Sequence, residues 1–322
     1  MTLPTHLAQR LRLPLIAAPM LHVSGPDLVI AACRSGVIGA FPTLNARGPD
    51  GLDQWLTRIV AELKDSPRPA APWCPNLIVH RDPAALRSDV DCVIRHGAQM
   101  VITSVGSPAP VIAPLHDAGC LVFADVATLR HAHKAVEAGA DGLILLTAGA
   151  GGQTGWLNGF AFVRAVRAFF DGPLVLAGGV SDGASLLAAQ ALGCDLAYMG
   201  TRFIATQESM APQAYKQMLV EASADDIVLT RALNGIPASL LAPSLRAAGL
   251  DPATLDESIT PEKARELFSQ NKDGAARPAR WKDVWSAGHS VSGVSAVSAT
   301  EALVDDIERD WHAARRRLDA SA

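Results

Sequence analysis

The sequence is poor in aromatic residues, in paired cysteines and in long charged runs. Aromatic side chains make up 5% of the 322 residues, and the five cysteines are scattered along the chain. No two cysteines have Cys-x-x-Cys spacing, so neither a disulfide framework nor a zinc site is indicated. The chain has 28 Lys and Arg against 32 Asp and Glu, without a long run of either sign, which argues against nucleic-acid binding.

Long apolar runs are missing as well. The apolar stretch at residues 13–21 contains two prolines and is too short to span a bilayer. The N-terminus lacks the features of a secretory signal peptide. The sequence therefore predicts a cytoplasmic protein without a membrane partner, in which Cys120 and Cys194 are free and buried.

What the sequence does contain is a high apolar content, 49%, arranged in short runs that alternate with segments of helical period. This alternation is typical of βα units around a parallel sheet, whose strands are buried on both faces. The predicted strands are residues 15–17, 37–40, 73–79, 100–103, 121–124, 142–146, 174–177 and 196–199.

Glycine stands between a predicted helix and the next strand at four places, Gly97, Gly119, Gly139 and Gly193. Glycine at the residue after a helix adopts the left-handed conformation that ends the helix tightly. Eight such units predict a TIM-type (β/α)8 barrel. The alternative is an open doubly wound sheet, which would usually carry a Gly-x-Gly-x-x-Gly turn where residues 17–20 read Ala-Ala-Pro-Met.

The chain changes character after the eighth strand. Residues 1–220 are assigned to the barrel, and residues 221–284, which are polar and proline-rich, to a small helical insertion or cap without strands. Within it, residues 273–279 are predicted to be a loop. Residues 285–322 are expected to return to the barrel, with a helix over 300–318.

Two glycine-bearing turns follow the seventh and eighth strands, one at Gly178 and Gly179 and the other at Gly200 and Thr201. In TIM barrels, loops at these positions often hold a phosphate through backbone N–H groups. Ordinary tight βα turns are the alternative interpretation.

The loop after the sixth strand, residues 147–155, has four glycines in nine residues. Ordering such a loop is entropically unfavourable. It is therefore expected to let a planar or anionic group lie against its backbone, with a flexible lid as the alternative. Asn76, within the third strand, is a buried amide that needs a hydrogen-bonding partner, and the edge of a ligand ring is one candidate.

Several segments together resemble the nitronate monooxygenase (2-nitropropane dioxygenase) family. They are residues 15–20, 75–77, 148–155, 176–180 and 198–203, with a weaker similarity at 285–289. The resemblance implies a barrel with a smaller helical domain and FMN at the barrel mouth. It places Pro19, Met20, Leu21, Asn76, Asp125, Gly151, Gly152, Gly178, Gly179, Met199, Gly200 and Thr201 at the cofactor, with Gly178, Gly179, Gly200 and Thr201 at its phosphate.

The sequence departs from the family at two positions. Gln153 stands where family members that oxidise nitronates typically carry a histidine, and Asp125 stands where some carry lysine. Glutamine can orient a substrate by hydrogen bonds but is not a base near neutral pH. Gln153 and His289 are the predicted catalytic residues. Gln153 is expected to orient the substrate, and His289, or alternatively His22, is placed to replace the missing histidine.

The resemblance implies oxidation of alkyl nitronates by oxygen to a carbonyl compound and nitrite. Three alternatives remain: an NAD(P)H-dependent reductase of quinones or enoyl thioesters, a non-redox barrel that binds a phosphorylated ligand, and a flavin-binding protein without turnover. The expected partner is a small-molecule substrate, and a homodimer is an assembly that the sequence leaves open.

Overall fold

A computed structural model describes residues 3–48, 50–233, 235–260, 262–263 and 282–320. Its centre is a closed barrel of eight parallel strands, in which the last strand pairs with the first. The barrel strands are β1 (Leu15–Ala17), β2 (Ile38–Pro42), β3 (Trp73–Ile78), β4 (Met100–Ser104), β5 (Leu121–Val126), β6 (Gly142–Leu146), β8 (Leu174–Ala177) and β9 (Leu196–Met199).

The barrel confirms the predicted fold class and rules out the open doubly wound sheet. Each of the eight predicted strands is present, and four of them, β1, β6, β8 and β9, have the predicted bounds. Ile16 of β1 pairs with Ile38 on one side and with Tyr198 on the other, which closes the ring.

The chain contains twelve helices in its described residues, of which the second to the eighth join successive barrel strands. They are α1 (Thr5–Ala8), α2 (Pro26–Arg34), α3 (Gly51–Lys64), α4 (Pro83–Arg95), α5 (Ala109–Asp117), α6 (Leu129–Glu137), α7 (Gly159–Arg167), α8 (Gly183–Leu192), α9 (Thr201–Ile204), α10 (Gln213–Glu221), α11 (Ala242–Ala247) and α12 (Thr300–Asp319). Short 3₁₀ turns occupy Thr43–Asn45, Ala224–Asp226, Pro252–Thr254 and His289–Gly293.

The predicted αβ turns have the expected backbone. Gly97, Gly119, Gly139 and Gly193 adopt φ angles of 74°, 71°, 94° and 106°. These left-handed conformations let each helix end and the next strand begin within a few residues.

The barrel interior is filled by apolar side chains, including Ile16, Ile102, Phe123 and Ile144, all fully buried. A Cβ at Gly142 would lie 2.3 Å from the Phe123 ring, so this strand begins with glycine to admit the ring. The filled interior leaves only the ends of the barrel available for a ligand site.

The expectation that residues 221–282 lack strands was wrong. Strands β10 (Ile227–Thr230) and β11 (Ala238–Leu241) form an antiparallel hairpin. β11 also pairs with β7 (Gly152–Gln153), a two-residue strand in the glycine-rich loop. The four-residue strands give a weak pattern in sequence, and their partner lies far away in the chain. The loop predicted at 273–279 lies outside the described residues.

The predicted C-terminal helix is confirmed as α12, which packs on α8. A Cβ at Gly183 would lie 2.0 Å from the backbone nitrogen of Trp311, so glycine permits this close approach of the two helices. The Trp311 indole donates a hydrogen bond of 2.8 Å to Gln190 Oε1. The C-terminal helix thus contacts a barrel helix, and the predicted division of the chain into domains stays a prediction.

The five cysteines are free and buried, which agrees with the expectation for Cys120 and Cys194. In the described ranges, no helix combines the length and apolar character that crossing a membrane requires.

Candidate active site

A cavity opens at the carboxyl ends of the barrel strands and encloses about 1280 Å³, its open mouth included. Twelve of the predicted site residues line it: Pro19, Met20, Leu21, Asn76, Asp125, Gly151, Gly152, Gln153, Gly178, Gly179, Gly200 and Thr201. The strand ends and βα loops that supply them form what we call the barrel wall. The cavity is also lined by Tyr215, Val284, Trp285 and Ser286, which we call the aromatic wall.

The loop after β1 is held in place by two polar side chains that sequence reasoning missed. Asn45 Nδ2 donates to the carbonyls of Met20 and Ser24 at 2.9 and 2.8 Å. Ser24 Oγ accepts a hydrogen bond of 3.0 Å from the Met20 backbone nitrogen. These bonds fix Pro19, Met20 and Leu21 against the cavity. Asn45 lies on the 3₁₀ turn after β2, so only the fold brings it to this loop.

Met199, the other predicted cofactor residue, is buried in the core behind the barrel wall. Its carbonyl accepts a hydrogen bond of 2.9 Å from the backbone nitrogen of Ala18. Met199 therefore supports the loop after β1 from behind.

Asn76 finds its hydrogen-bonding partner within the protein. Its side chain pairs with the Ser104 hydroxyl on the adjacent strand, at 3.1 Å from Nδ2 and 3.2 Å from Oδ1. Both side chains line the cavity. The pair presents a neutral polar surface to any ligand that binds there.

Asp125, at the end of β5, differs from every other polar group on this wall. Its Oδ1 atom is buried and has no hydrogen-bond partner among the described residues. Burial raises the pKa of the Asp125 carboxyl to about 7. Burial also raises the pKa of the Tyr198 phenol well above its usual value, and the Asp125 charge adds to this effect.

The glycine-rich loop packs against the chain itself, which changes the interpretation of its glycines. A Cβ at Gly151 would lie 2.7 Å from the backbone nitrogen of Gly288, and one at Gly149 would lie 2.8 Å from His289 Nδ1. A Cβ at Gly155 would lie 2.3 Å from the carbonyl oxygen of Leu146. Three of the four glycines are therefore needed for contacts with protein rather than with a ligand.

The turn after β8 contains one glycine that faces protein and one that faces open space. A Cβ at Gly178, where φ is +119°, would lie 2.5 Å from Thr147 Oγ1 and 3.0 Å from the Ala150 nitrogen. Gly179 has a φ of +76°, and no described atom lies within 4 Å of a Cβ built there. The Gly179 backbone is therefore accessible to a ligand in the cavity.

The second glycine-bearing turn lies beside it. Thr201 Oγ1 accepts a hydrogen bond of 3.0 Å from the Gly288 nitrogen. This bond joins the turn after β9 to the segment that packs on the glycine-rich loop.

The aromatic wall was not foreseen from the sequence. The rings of Tyr215 and Trp285 stack with centroids 4.9 Å apart, and the Tyr215 hydroxyl donates to the carbonyl of Ser286. Burial raises the pKa of Tyr215 to about 12, so the phenol is neutral. Trp156, which follows the glycine-rich loop, is 76% exposed.

The two predicted catalytic residues lie in different surroundings. Gln153 lines the cavity, and its backbone pairs with Ala238 of β11. His289 is exposed, and its backbone nitrogen donates to the Gly149 carbonyl at 2.9 Å. His22 contacts Arg47 at 3.2 Å, and burial and this cation lower its pKa.

The residues present fit an uncharged ring system that carries a phosphate. The Asp125 oxygen and the Asn76–Ser104 pair offer polar contacts to a ring, and the open Gly179 backbone offers N–H groups to an anion. The cavity lining in the described part of the chain includes no Lys or Arg. An anion there would be held by backbone and hydroxyl donors alone.

Comparisons with known proteins identify the family. Residues 76–307 match the family model described as nitronate monooxygenase. The nitronate monooxygenase of Paraburkholderia phytofirmans is 28% identical over 343 residues, covering 92% of each chain. The (3aS,4S,5R,7aS)-5-hydroxy-7a-methyl-1-oxo-octahydro-1H-indene-4-carboxyl-CoA dehydrogenase of Rhodococcus jostii is 28% identical, covering 71% of this chain and 62% of its own.

Among solved structures, FabK from Thermotoga maritima superposes with a TM-score of 0.80 at 25% identity, covering 100% of both chains. The barrel fold agrees with the family match, which covers most of the chain. The protein belongs to the nitronate monooxygenase family of oxidoreductases.

Proposed function

We propose that this protein is an FMN-dependent oxidoreductase that takes two electrons from an organic substrate and passes them to oxygen. The observation that carries the proposal is the barrel wall, where the open left-handed Gly179, the polar Asn76–Ser104 pair and the unpartnered Asp125 oxygen line one cavity. The flavin, when bound, supplies the redox chemistry. The protein binds and orients the substrate and excludes water from the site.

Different residues of the barrel wall would contact different parts of the cofactor. Backbone groups at Gly178, Gly179 and Gly200, with the Thr201 hydroxyl, would hold the phosphate. The ring system would lie against the remaining predicted residues, Pro19, Met20, Leu21, Asn76, Asp125, Gly151 and Gly152, with Met199 supporting them from behind.

An alkyl nitronate is the substrate that the family resemblance favours. A nitronate is already an anion, so its oxidation to a carbonyl compound and nitrite needs no base to remove a carbon-bound proton. Gln153 would orient it by hydrogen bonds, as its backbone is fixed by the pairing with β11. We assign His289 a packing role, because it is exposed and its backbone holds Gly149.

One observation favours a second candidate, an NAD(P)H-dependent reductase of quinones or enoyl thioesters. The cavity lining in the described residues offers neither a cation to pair with a nitronate nor a histidine base, whereas the aromatic wall suits a planar or apolar group. The relative from Rhodococcus jostii is named for a CoA-linked substrate.

Anaerobic reduction of the purified protein tests both candidates. Flavin absorbance is followed after addition of propionate 3-nitronate to one sample and of NADH or NADPH to another. Rapid bleaching by the nitronate alone supports nitronate oxidation, and bleaching by a pyridine nucleotide alone supports the reductase. A purified protein that releases no FMN on denaturation, and does not bind it when added, would contradict both.

A further inference from the structure

Asp125 carries a polar group for which the protein provides no partner. One carboxyl oxygen is buried without a hydrogen bond among the described residues, while the side chain also lines the cavity. The adjacent polar residues, Asn76 and Ser104, bond to each other instead. A buried polar group without a partner is unfavourable unless a ligand satisfies it or the group is neutral.

The charges around Asp125 favour the neutral acid. The titratable groups that face it in the described structure are Tyr198 on β9 and Cys74 on β3, and burial raises the pKa of both well above their usual values. Both are therefore uncharged at neutral pH. The flanking strands β4 and β6 contain no charged residue. Among the residues that the structure describes, no cation therefore compensates an ionised Asp125, and burial raises its pKa to about 7.

We propose that Asp125 is the group that couples proton uptake to reduction of the cofactor. The proposal rests on the FMN-dependent function proposed above. At neutral pH, reduction of FMN by two electrons and one proton adds one negative charge to the ring system. When Asp125 is ionised, this charge would lie in the same buried cavity as the carboxylate. Reduction would then draw one further proton from solvent onto the carboxylate, two electrons and two protons in all.

The coupling has a defined direction with pH. Below about pH 7 Asp125 is already protonated, so reduction takes up no extra proton at this residue. Above about pH 7 each pH unit lowers the equilibrium constant for reduction by a further tenfold. That factor corresponds to 29.6 mV for a two-electron couple. The reduced protein, in turn, should hold this proton more tightly than the oxidised protein.

The test is the midpoint potential of the flavin-containing protein between about pH 6 and 9, in the natural protein and in Asp125→Asn. Slow enzymatic reduction with xanthine and xanthine oxidase, in the presence of a reference dye, supplies the electrons. We expect the natural protein to show the additional tenfold dependence per pH unit above about pH 7, and Asp125→Asn to lack it. Asp171→Asn, which removes an exposed carboxyl, should retain the natural slope.

An identical slope in Asp125→Asn and the natural protein would overturn the proposal. A second readout does not depend on the flavin. Infrared difference spectra of the apoprotein should show a protonated carboxylic acid that titrates near pH 7 and disappears in Asp125→Asn. Absence of this band from the natural protein at pH 6 would also overturn the proposal. A protein that binds no FMN would refute the proposed function and with it the coupling, and the band would then show only that Asp125 is a neutral acid in the folded protein.

Discussion

The barrel wall of the cavity consists largely of backbone and small groups, whereas the aromatic wall consists of large side chains. On the barrel wall, glycines at 151, 178 and 179 bring main-chain atoms close to the cavity or to each other. On the aromatic wall, Tyr215 and Trp285 are stacked and anchored through Ser286. Backbone N–H groups suit a phosphate, and flat apolar faces suit a substrate. We infer that changes in the barrel wall affect the cofactor and changes in the aromatic wall affect the substrate.

The largest expected effect concerns Asp125, the one carboxylate of the barrel wall. Its folded-state pKa is raised from 3.8 to about 7, so the folded protein holds this proton more tightly than the unfolded chain. Stability from this group is therefore complete below about pH 4 and is lost as the pH rises to about 7. Asp125→Asn should be more stable than the natural apoprotein at pH 8, by up to about 4 kcal/mol.

Urea unfolding of the two apoproteins at pH 5 and at pH 8 measures this difference. The two proteins share all other titrating groups. The contributions of those groups to the pH dependence of stability therefore cancel when the variant is compared with the natural protein. The difference in unfolding free energy between Asp125→Asn and the natural apoprotein should be smaller at pH 5 than at pH 8. A gap that is the same at both pH values would show that Asp125 is ionised without penalty in the folded state.

The next effect comes from the turn after β8. Gly178→Ala places a Cβ 2.5 Å from Thr147 Oγ1 in a left-handed conformation, so we expect a loss of about 3 kcal/mol of stability. Gly179→Ala is the matched variant, because its Cβ meets open space in the described structure. It should cost only about 1 kcal/mol, from the positive φ. Its FMN affinity should nevertheless fall, because the added methyl group would occupy the space that we assign to the phosphate.

Thermal unfolding and fluorescence titration with FMN separate these two variants. If Gly179→Ala binds FMN as tightly as the natural protein does, the phosphate is not held at this turn. The assignment of the barrel wall to the cofactor would then need revision.

A smaller effect tests Gln153, which lines the cavity. Gln153→His introduces a base, so we expect activity on a neutral nitroalkane to rise about 100-fold, equivalent to about 2.7 kcal/mol. Nitronate turnover should change much less, because a nitronate needs no deprotonation. Gln153→Asn, which keeps the amide but adds no base, is the control. Steady-state rates with the neutral nitroalkane and with the nitronate measure these effects. An unchanged nitroalkane rate in Gln153→His would argue against Gln153 facing the substrate.

The smallest effect is expected on the aromatic wall. Tyr215→Phe removes the hydrogen bond to the Ser286 carbonyl but keeps the ring stack, so stability should fall by about 1 kcal/mol. Trp285→Ala removes the stack and leaves the Tyr215–Ser286 hydrogen bond in place. Both variants should raise the KM for substrate while their FMN content stays constant. A loss of FMN in either variant would show that the two walls do not divide cofactor and substrate as proposed.

Much of the barrel was predictable because its signals are local. Each strand is a short apolar run, and the glycines at 97, 119, 139 and 193 mark the turns that end four helices. The β10–β11 hairpin was missed because its strands are four residues long and one partner is the glycine-rich loop, some 85 residues earlier in the chain. Nothing local in either segment indicates that pairing.

The glycine-rich loop shows the same limit at the site. Its composition led to the prediction that a planar or anionic group lies against its backbone. The group against Gly149 and Gly151, however, is the chain's own segment of Gly288 and His289 rather than a ligand. Composition shows that space is needed but not what occupies it.

The sequence alone determined the eightfold succession of strands and helices, and hence the end of the barrel where the cavity opens. These features follow from hydrophobic periodicity and from the φ angles that glycine permits, which are properties of neighbouring residues. Only the tertiary structure decided that Tyr215 and Trp285 form a wall, that Asn45 holds the loop after β1, and that Asp125 lacks a partner. Burial and hydrogen bonding depend on which distant groups meet, and a linear sequence does not record those distances.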